Sequence, residues 1–322
     1  MKFKSIAAIA LCLLLAVGSV AAVEVETISV TTSAQAVNLA PIAENLEVRT
    51  YRDTSVGGTL QAVDPEGDLV TFRLGTEPKK GTVLLNGADF VYTPDTRKKG
   101  KDSFTYTAVD TEGNVSAEAT VSIRIDRQSG KTCYADLEGS PLAYAALRLA
   151  EEGIFTGEHV GSSWCFSPDS TVTRGEFLTM CASMTGMQPL EGVTRTGFYD
   201  DEGIDAWLKP YVSAALMCGV VQGSAGESGR IVFSPNRAIT VAEAAVMLNN
   251  FLMITDSVTT IAPENVPTWA ARAVGNLAAC DIYSPSFRAD VALTRGDAAT
   301  MLSAAMDMCT RRGKSIKTIW KA

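Results

Sequence analysis

One eight-residue pattern recurs three times in the second half of this 322-residue chain, and each time it runs into the same helix start. The three segments are Phe166-Ser-Pro-Asp-Ser-Thr-Val-Thr173, Phe233-Ser-Pro-Asn-Arg-Ala-Ile-Thr240 and Phe287-Arg-Ala-Asp-Val-Ala-Leu-Thr294. Each Thr opens a capping box: Thr173-Arg-Gly-Glu176, Thr240-Val-Ala-Glu243 and Thr294-Arg-Gly-Asp297. In such a box the hydroxyl accepts a free helix N–H and the acid three residues on reaches back. The shorter Asp297 is expected to close its box less well. Phe177, Met180, Cys181 and Met184 follow the first Thr at the same offsets as Ala244, Met247, Leu248 and Phe251, and as Ala298, Met301, Leu302 and Ala305. Those offsets mark one face of an α-helix. A first helix precedes each Phe, with apolar positions Leu142, Ala145, Ala146 and Leu149 in copy one, Leu208, Val212, Ala215 and Leu216 in copy two, and Ala270, Ala273, Val274 and Leu277 in copy three. Self-similarity at fixed offsets indicates one repeated helix–loop–helix unit, with copies at 131–190, 195–255 and 260–310 and a basic tail at 311–322.

The first half follows a different period. Val70, Phe72 and Leu74, then Phe104, Tyr106 and Ala108, then Val121, Ile123 and Ile125 alternate with polar residues. Turn signals such as Asp64-Pro-Glu-Gly67, Asn86-Gly87 and Glu112-Gly-Asn114 separate the runs. This pattern predicts an antiparallel β-sandwich over 38–126. Residues 23–37 read as an extended lead-in. Residues 1–22 read as a secretory signal: Lys2 and Lys4, an apolar run from Ile6 to Val17, then Ser19, Ala21 and Ala22. The expectation is an exported protein with no transmembrane span after signal cleavage. Cys133, Cys165, Cys181, Cys218, Cys280 and Cys309 then permit three disulfides or remain free thiols; Cys181 lies on an apolar helix face.

Charge and histidine content narrow the function. There are 28 Lys and Arg against 36 Asp and Glu, a net charge of -8, which argues against nucleic acid. His159 is the sole histidine, so a Ser-His-Asp triad would have to use it and a His-rich zinc site cannot form. No nucleophile motif surrounds it, which predicts a surface loop. The placeable acids fall at caps and turns, so the chain reads as a non-enzyme.

Two resemblances follow from these residues. Asn38-Leu-Ala-Pro41, Val63-Asp-Pro-Glu-Gly-Asp-Leu69, Phe90-Val-Tyr-Thr-Pro94 and Gly100-Lys-Asp-Ser-Phe-Thr-Tyr106 resemble bacterial cadherin-like (Ig-like) modules, which implies a spacer or adhesion unit. Asp64, Glu66, Asp68, Asp102 and Asp110 are the candidate calcium ligands, because calcium takes six to eight hard oxygens; the alternative is that they shape turns. No other cofactor is expected. Tyr134-Ala-Asp136, Phe198-Tyr-Asp200, the Gly-Ile/Val-x-x-Gly turns, the Phe-Ser-Pro loops and Thr-Arg-x-Glu resemble the S-layer homology (SLH) repeat over 131–310.

The combined expectation is a multidomain chain, an all-β sandwich followed by an all-α pseudo-threefold helical prism of three repeats. The second resemblance implies non-covalent anchoring at the cell surface. The partner would be cell-wall polysaccharide or a peptidoglycan-linked secondary polymer, often pyruvylated, with other surface proteins as further partners. It assigns the anionic sugar to Arg174 and Arg295; copy two has Val241 there. Trp207 and Trp269 either stack on sugar or pack at helix edges, and Asp136 and Asp200 either bond sugar hydroxyls or cap the first helices. Copy three lacks the aromatic-x-Asp start; its nearest segment is Ile261-Ala-Pro-Glu264. The five basic residues from Arg311 to Lys321 either lie against an acidic polymer or form a solvated end. The competing readings are a structural S-layer or adhesion subunit, and an exported enzyme whose site is unrecognised.

Overall fold

The computed structural model describes residues 38–255, 265–284 and 287–321. The signal and lead-in at 1–37 and the segment Ile261–Glu264 lie outside the described residues. Residues Leu39–Ala322 form one compact unit.

The first half is a sandwich. One sheet has the order β2-β9-β8-β5, from Leu46–Tyr51, Ala119–Asp126, Gly100–Val109 and Thr71–Leu74. The other is β3-β7-β6, from Val56–Thr59, Asp89–Pro94 and Gly81–Asn86. A small ribbon pairs β1 (Ile42–Ala43) with β4 (Ala62–Val63). Neighbouring strands are antiparallel except β2, which runs parallel to β9. The period-two residues point inward as their spacing requires: Phe104, Tyr106, Val121, Ile123 and Ile125 are buried, and Phe90 meets Phe104 edge-on at 5.2 Å.

The second half is helical. Its elements are α1 (Ala143–Glu151), a hairpin of β10 (Glu158–Val160) and β11 (Ser163–Cys165), α2 (Arg174–Thr185), α3 (Lys209–Met217), a hairpin of β12 (Ser224–Ala225) and β13 (Ile231–Val232), α4 (Val241–Phe251), α5 (Thr268–Ala278) and α6 (Arg295–Arg311). The capping boxes of α2 and α4 are complete. In α6, Thr294 accepts from the Asp297 N–H at 3.1 Å, which is the forward half alone.

Three main-chain hydrogen bonds join the loops before these helices in a closed ring. Val172 N–H donates to Leu293 O at 2.9 Å, Leu293 N–H to Ile239 O at 2.8 Å, and Ile239 N–H to Val172 O at 3.0 Å. The first two residues of each second helix also donate to the loop of the next copy. Arg174 and Gly175 donate to Arg237 O and Pro235 O, Val241 and Ala242 to Val291 O and Ala289 O, and Arg295 and Gly296 to Ser170 O and Pro168 O. A helix start leaves such N–H groups without intrahelical partners, and here the neighbouring copy supplies the acceptors. The approach is close: a Cβ on Gly175 would lie 2.7 Å from Leu208 Cδ2 and 3.2 Å from Pro235 O.

The tail is docked through its apolar residues, while its five basic residues stay exposed. Ile316–Thr318 forms a 3-10 turn with Ile316 buried, Trp320 Nε1 donates to Phe251 O at 2.8 Å, and Lys317 Nζ meets Glu152 at 2.7 Å. It packs across the C-terminal ends of α2 and α4.

The sandwich docks on copy one. Gly57 N–H donates to Pro141 O at 3.2 Å, the Tyr51 and Tyr144 rings lie 5.0 Å apart, and Tyr51 Oη donates to Glu151 at 2.6 Å. Glu151 also accepts the Gly130 N–H at 2.9 Å, which pins the connecting segment. Between sandwich and helices lies a cleft of about 840 Å³, lined in part by Arg49, Tyr144 and Asp307.

Candidate functional site

Each of the two motif arginines leaves the first turn of its own helix and lies against an aromatic ring of the next copy. The Arg174 guanidinium is 5.4 Å from the Phe233 ring centroid, and its Nη2 donates to Gln222 O at 3.0 Å. Glu243 Oε1 stands 3.9 Å from Arg174 Nη1 and also pairs with Arg237 at 2.5 Å. Burial lowers the Arg174 pKa and Arg237 adds to the effect, while Glu243 opposes it. The Arg295 guanidinium is 5.1 Å from the Phe155 ring centroid, and its Nη2 meets Glu158 Oε1 at 2.6 Å. Both arginine side chains are 13% exposed, each at a junction between copies.

At the third junction Val241 is buried and carries no charge. Tyr283 there donates its hydroxyl to Phe287 O at 3.4 Å, and the two rings meet edge-on at 5.5 Å. Phe155 and Phe166 form the corresponding edge-on pair at 5.5 Å, with Arg295 Nη1 donating to Phe166 O at 3.4 Å. The tyrosine hydroxyl thus takes the acceptor that an arginine uses elsewhere.

Asp136 and Asp200 neither cap first helices nor stand free. The residues preceding α1 and α3 are Leu142 and Leu208, without a side-chain cap. Asp136 instead accepts the N–H groups of Phe166 and Ser167 at 2.9 and 2.6 Å. Asp200 accepts those of Phe233 and Ser234 at 2.8 and 2.7 Å. Ser167 and Ser234 have φ of 56° and 59°, a left-handed region that costs a non-glycine residue about 1 kcal/mol. The carboxylates therefore hold the Phe-Ser-Pro loops in shape. Arg288 takes the serine's place in copy three, whose sequence lacks the aromatic-x-Asp start, and it is not among the left-handed residues described.

Trp207 and Trp269 do not pack in the core: they are 58% and 59% exposed. Trp207 precedes Leu208, whose side chain lies against Gly175, the residue after Arg174. Pro141 fills the same place in copy one and meets the sandwich there. His159 lies in β10, exposed, with its ring 4.3 Å from that of Trp164. The six cysteines from Cys133 to Cys309 are free, and burial raises the Cys181 thiol. Sequence reasoning missed the roles of Arg237, Glu158 and the ring partners Phe155 and Phe233; Phe233 and Arg237 lie in the repeated Phe-to-Thr segment, but nothing local marks what they meet.

Among the described residues, the candidate calcium ligands form no group of three. Asp64 Oδ1 accepts the N–H groups of Glu66 and Asp68, each at 3.0 Å, and Glu66 accepts that of Leu39 at 3.2 Å. Asp110 accepts the N–H groups of Glu112 and Asn114 at 2.9 and 2.8 Å. Asp102 lies eight residues before Asp110 on β8, roughly 26 Å away at strand rise. Burial favours its neutral form, but the Lys79 N–H, the Tyr92 hydroxyl and the Lys80 N–H hold its carboxyl below the usual range. Among the described residues, no three His, Cys, Asp or Glu groups cluster to hold a metal ion. Asp64 and Asp110 therefore shape turns, whereas Asp102 and Glu66 tie distant segments of the sandwich together.

Comparison with known families then bears on identity. Residues 38–127 match the model of the bacterial cadherin-like domain, and residues 197–245, within copy two, match that of the S-layer homology domain. The chain carries both domains. Neither is a catalytic domain. The SLH domain implies a surface protein held at the cell wall through wall polysaccharide, and the cadherin-like domain fits an adhesion or spacer role. No helix among the described residues is long and apolar enough to cross a membrane.

No curated protein matches the chain. Among solved structures, an endo-fucoidan hydrolase of glycoside hydrolase family 107 is 24% identical over 27% of this chain and 14% of its own, with a TM-score of 0.24. The SrpA adhesin from Streptococcus sanguinis is 16% identical over 31% of this chain and 64% of its own, with a TM-score of 0.25. The chain thus spans less than two thirds of either, and at these scores the likeness carries no argument about function.

Proposed function

We propose that the protein is a non-catalytic anchor that binds anionic, pyruvylated secondary wall polysaccharide at the junctions of a pseudo-threefold prism of three repeats. Arg174 and Arg295 grip the sugar carboxylate, a task that suits the planar guanidinium fork. Trp207 offers a face for sugar stacking beside Arg174, and Trp269 offers one at the third junction. Asp136 and Asp200 serve by holding the loops. The sandwich is a fixed spacer or adhesion unit, because Tyr51, Gly57 and Glu151 tie it to copy one. The observation that carries the reading is the burial of two equivalent arginines, each against the ring of the next copy.

Sedimentation of the purified protein with isolated cell walls tests it. Binding is expected to disappear when the secondary polymer is extracted, and to fall at least tenfold in the Arg174→Ala, Arg295→Ala double variant. Binding that survives extraction would overturn the polysaccharide reading. An unaffected double variant would overturn the site.

A further inference from the structure

The two arginine junctions are built from the same motif but differ in what already sits on the guanidinium. At Arg174, Nη2 is held by a main-chain oxygen, and the nearest carboxylate, Glu243, is 3.9 Å away and pairs more closely with Arg237. Arg174, Arg237 and Glu243 together leave one positive charge. At Arg295, Nη2 is taken at 2.6 Å by Glu158, whose side chain is 60% exposed. Arg295 and Glu158 cancel, and Ser170 stands where the other junction has Arg237. Glu158 directly follows the turn glycine Gly157; Ser224, after Gly223, is its counterpart at the Arg174 junction.

We propose that Glu158 is a built-in competitor for the Arg295 junction, so that the two sites are unequal. The Arg174 junction takes an anionic sugar directly; the Arg295 junction takes one by displacing Glu158. This rests on the anionic-glycan reading above. A sugar carboxylate and the Glu158 carboxylate present the same acceptor to the same Nη2 donor, so one excludes the other. An ion pair whose carboxylate is 60% exposed is a weak competitor, which makes the second site weaker by up to about fivefold rather than closed.

Calorimetric titration of the full chain with a synthetic pyruvylated methyl glycoside tests this. Glu158→Gln is expected to tighten the weaker of two sites by up to about fivefold. In an Arg295→Ala background the same change is expected to have no effect. Asp169→Asn, which removes a negative charge from the neighbouring loop, serves as the control for overall charge. Unchanged or weaker binding by Glu158→Gln overturns the proposal, as does tightening that persists without Arg295 or is matched by Asp169→Asn. If the wild type and every variant fail to bind the glycoside, the anionic-glycan reading itself falls and takes this proposal with it.

Discussion

The Asp136 carboxylate accepts the Ser167 N–H at 2.6 Å, and Ser167 has a φ of 56°. The Asp200–Ser234 pair repeats this at 2.7 Å and 59°. Removing the acid is expected to leave two loop N–H groups unmatched while the backbone cost remains. Asp200→Ala should therefore lose about 2–4 kcal/mol in urea unfolding. Ser234→Gly in the same chain should recover part of that loss, because glycine enters the left-handed region freely. A loss that glycine cannot reduce would show that backbone strain is not what Asp200 holds.

The Gly175 contact gives a steric prediction. Its Cβ would meet Leu208 Cδ2 at 2.7 Å, whereas copy two carries Ala242 at the same motif position and copy three carries Ala270 where Leu208 stands. Gly175→Ala is expected to destabilise by about 1–3 kcal/mol, and Gly175→Ala with Leu208→Ala by less than the two single changes added. Strict additivity in thermal melts would contradict this coupling.

Restoring the missing arginine should fail. Val241 is 1% exposed, and the Tyr283 hydroxyl already uses Phe287 O. Val241→Arg is expected to cost several kcal/mol, about 3 or more, because a buried charge would lack a partner, and it should add no glycan site by calorimetry.

Acid stability has a specific source in copy two. The Lys209 ammonium, then the Thr196 N–H, pull the Asp201 carboxyl down to about 2. A carboxyl lowered in the folded state contributes stability above its unfolded pKa, near 3.9, and loses it as pH falls through the folded value. Asp201→Asn should therefore flatten the loss of stability between about pH 4 and pH 2, followed by urea midpoints.

Much of the helical half was legible because its signals are local. Thr173 and Glu176 lie three residues apart, and the apolar face repeats within one helix. Strands β5, β8 and β9 were legible for the same reason, since Val121, Ile123 and Ile125 alternate along β9, whereas β2 and β3 and the parallel pairing of β2 were not. The role of Asp136 was not, because its partner lies 31 residues away. Glu158 and Arg295 are 137 residues apart, so no motif could join them. The tail looked solvated because Ile316 and Trp320 are too few to mark a helix face; their partners are the ends of other helices.

The ring through Val172, Leu293 and Ile239 gives each copy a neighbour on both sides, although only copy two is flanked by copies on both sides in sequence. A linear repeat array gains or loses units at its ends, where a cap covers the exposed face. A closed circuit has no end at which to do so: deleting one copy orphans an N–H and a C=O of the ring as well as the helix-start bonds on both sides, and a fourth has no gap to enter. Any two copies alone would leave this circuit open. The copies differ in side chains at the junctions, as Val241 and Tyr283 show, while the main-chain ring runs through all three.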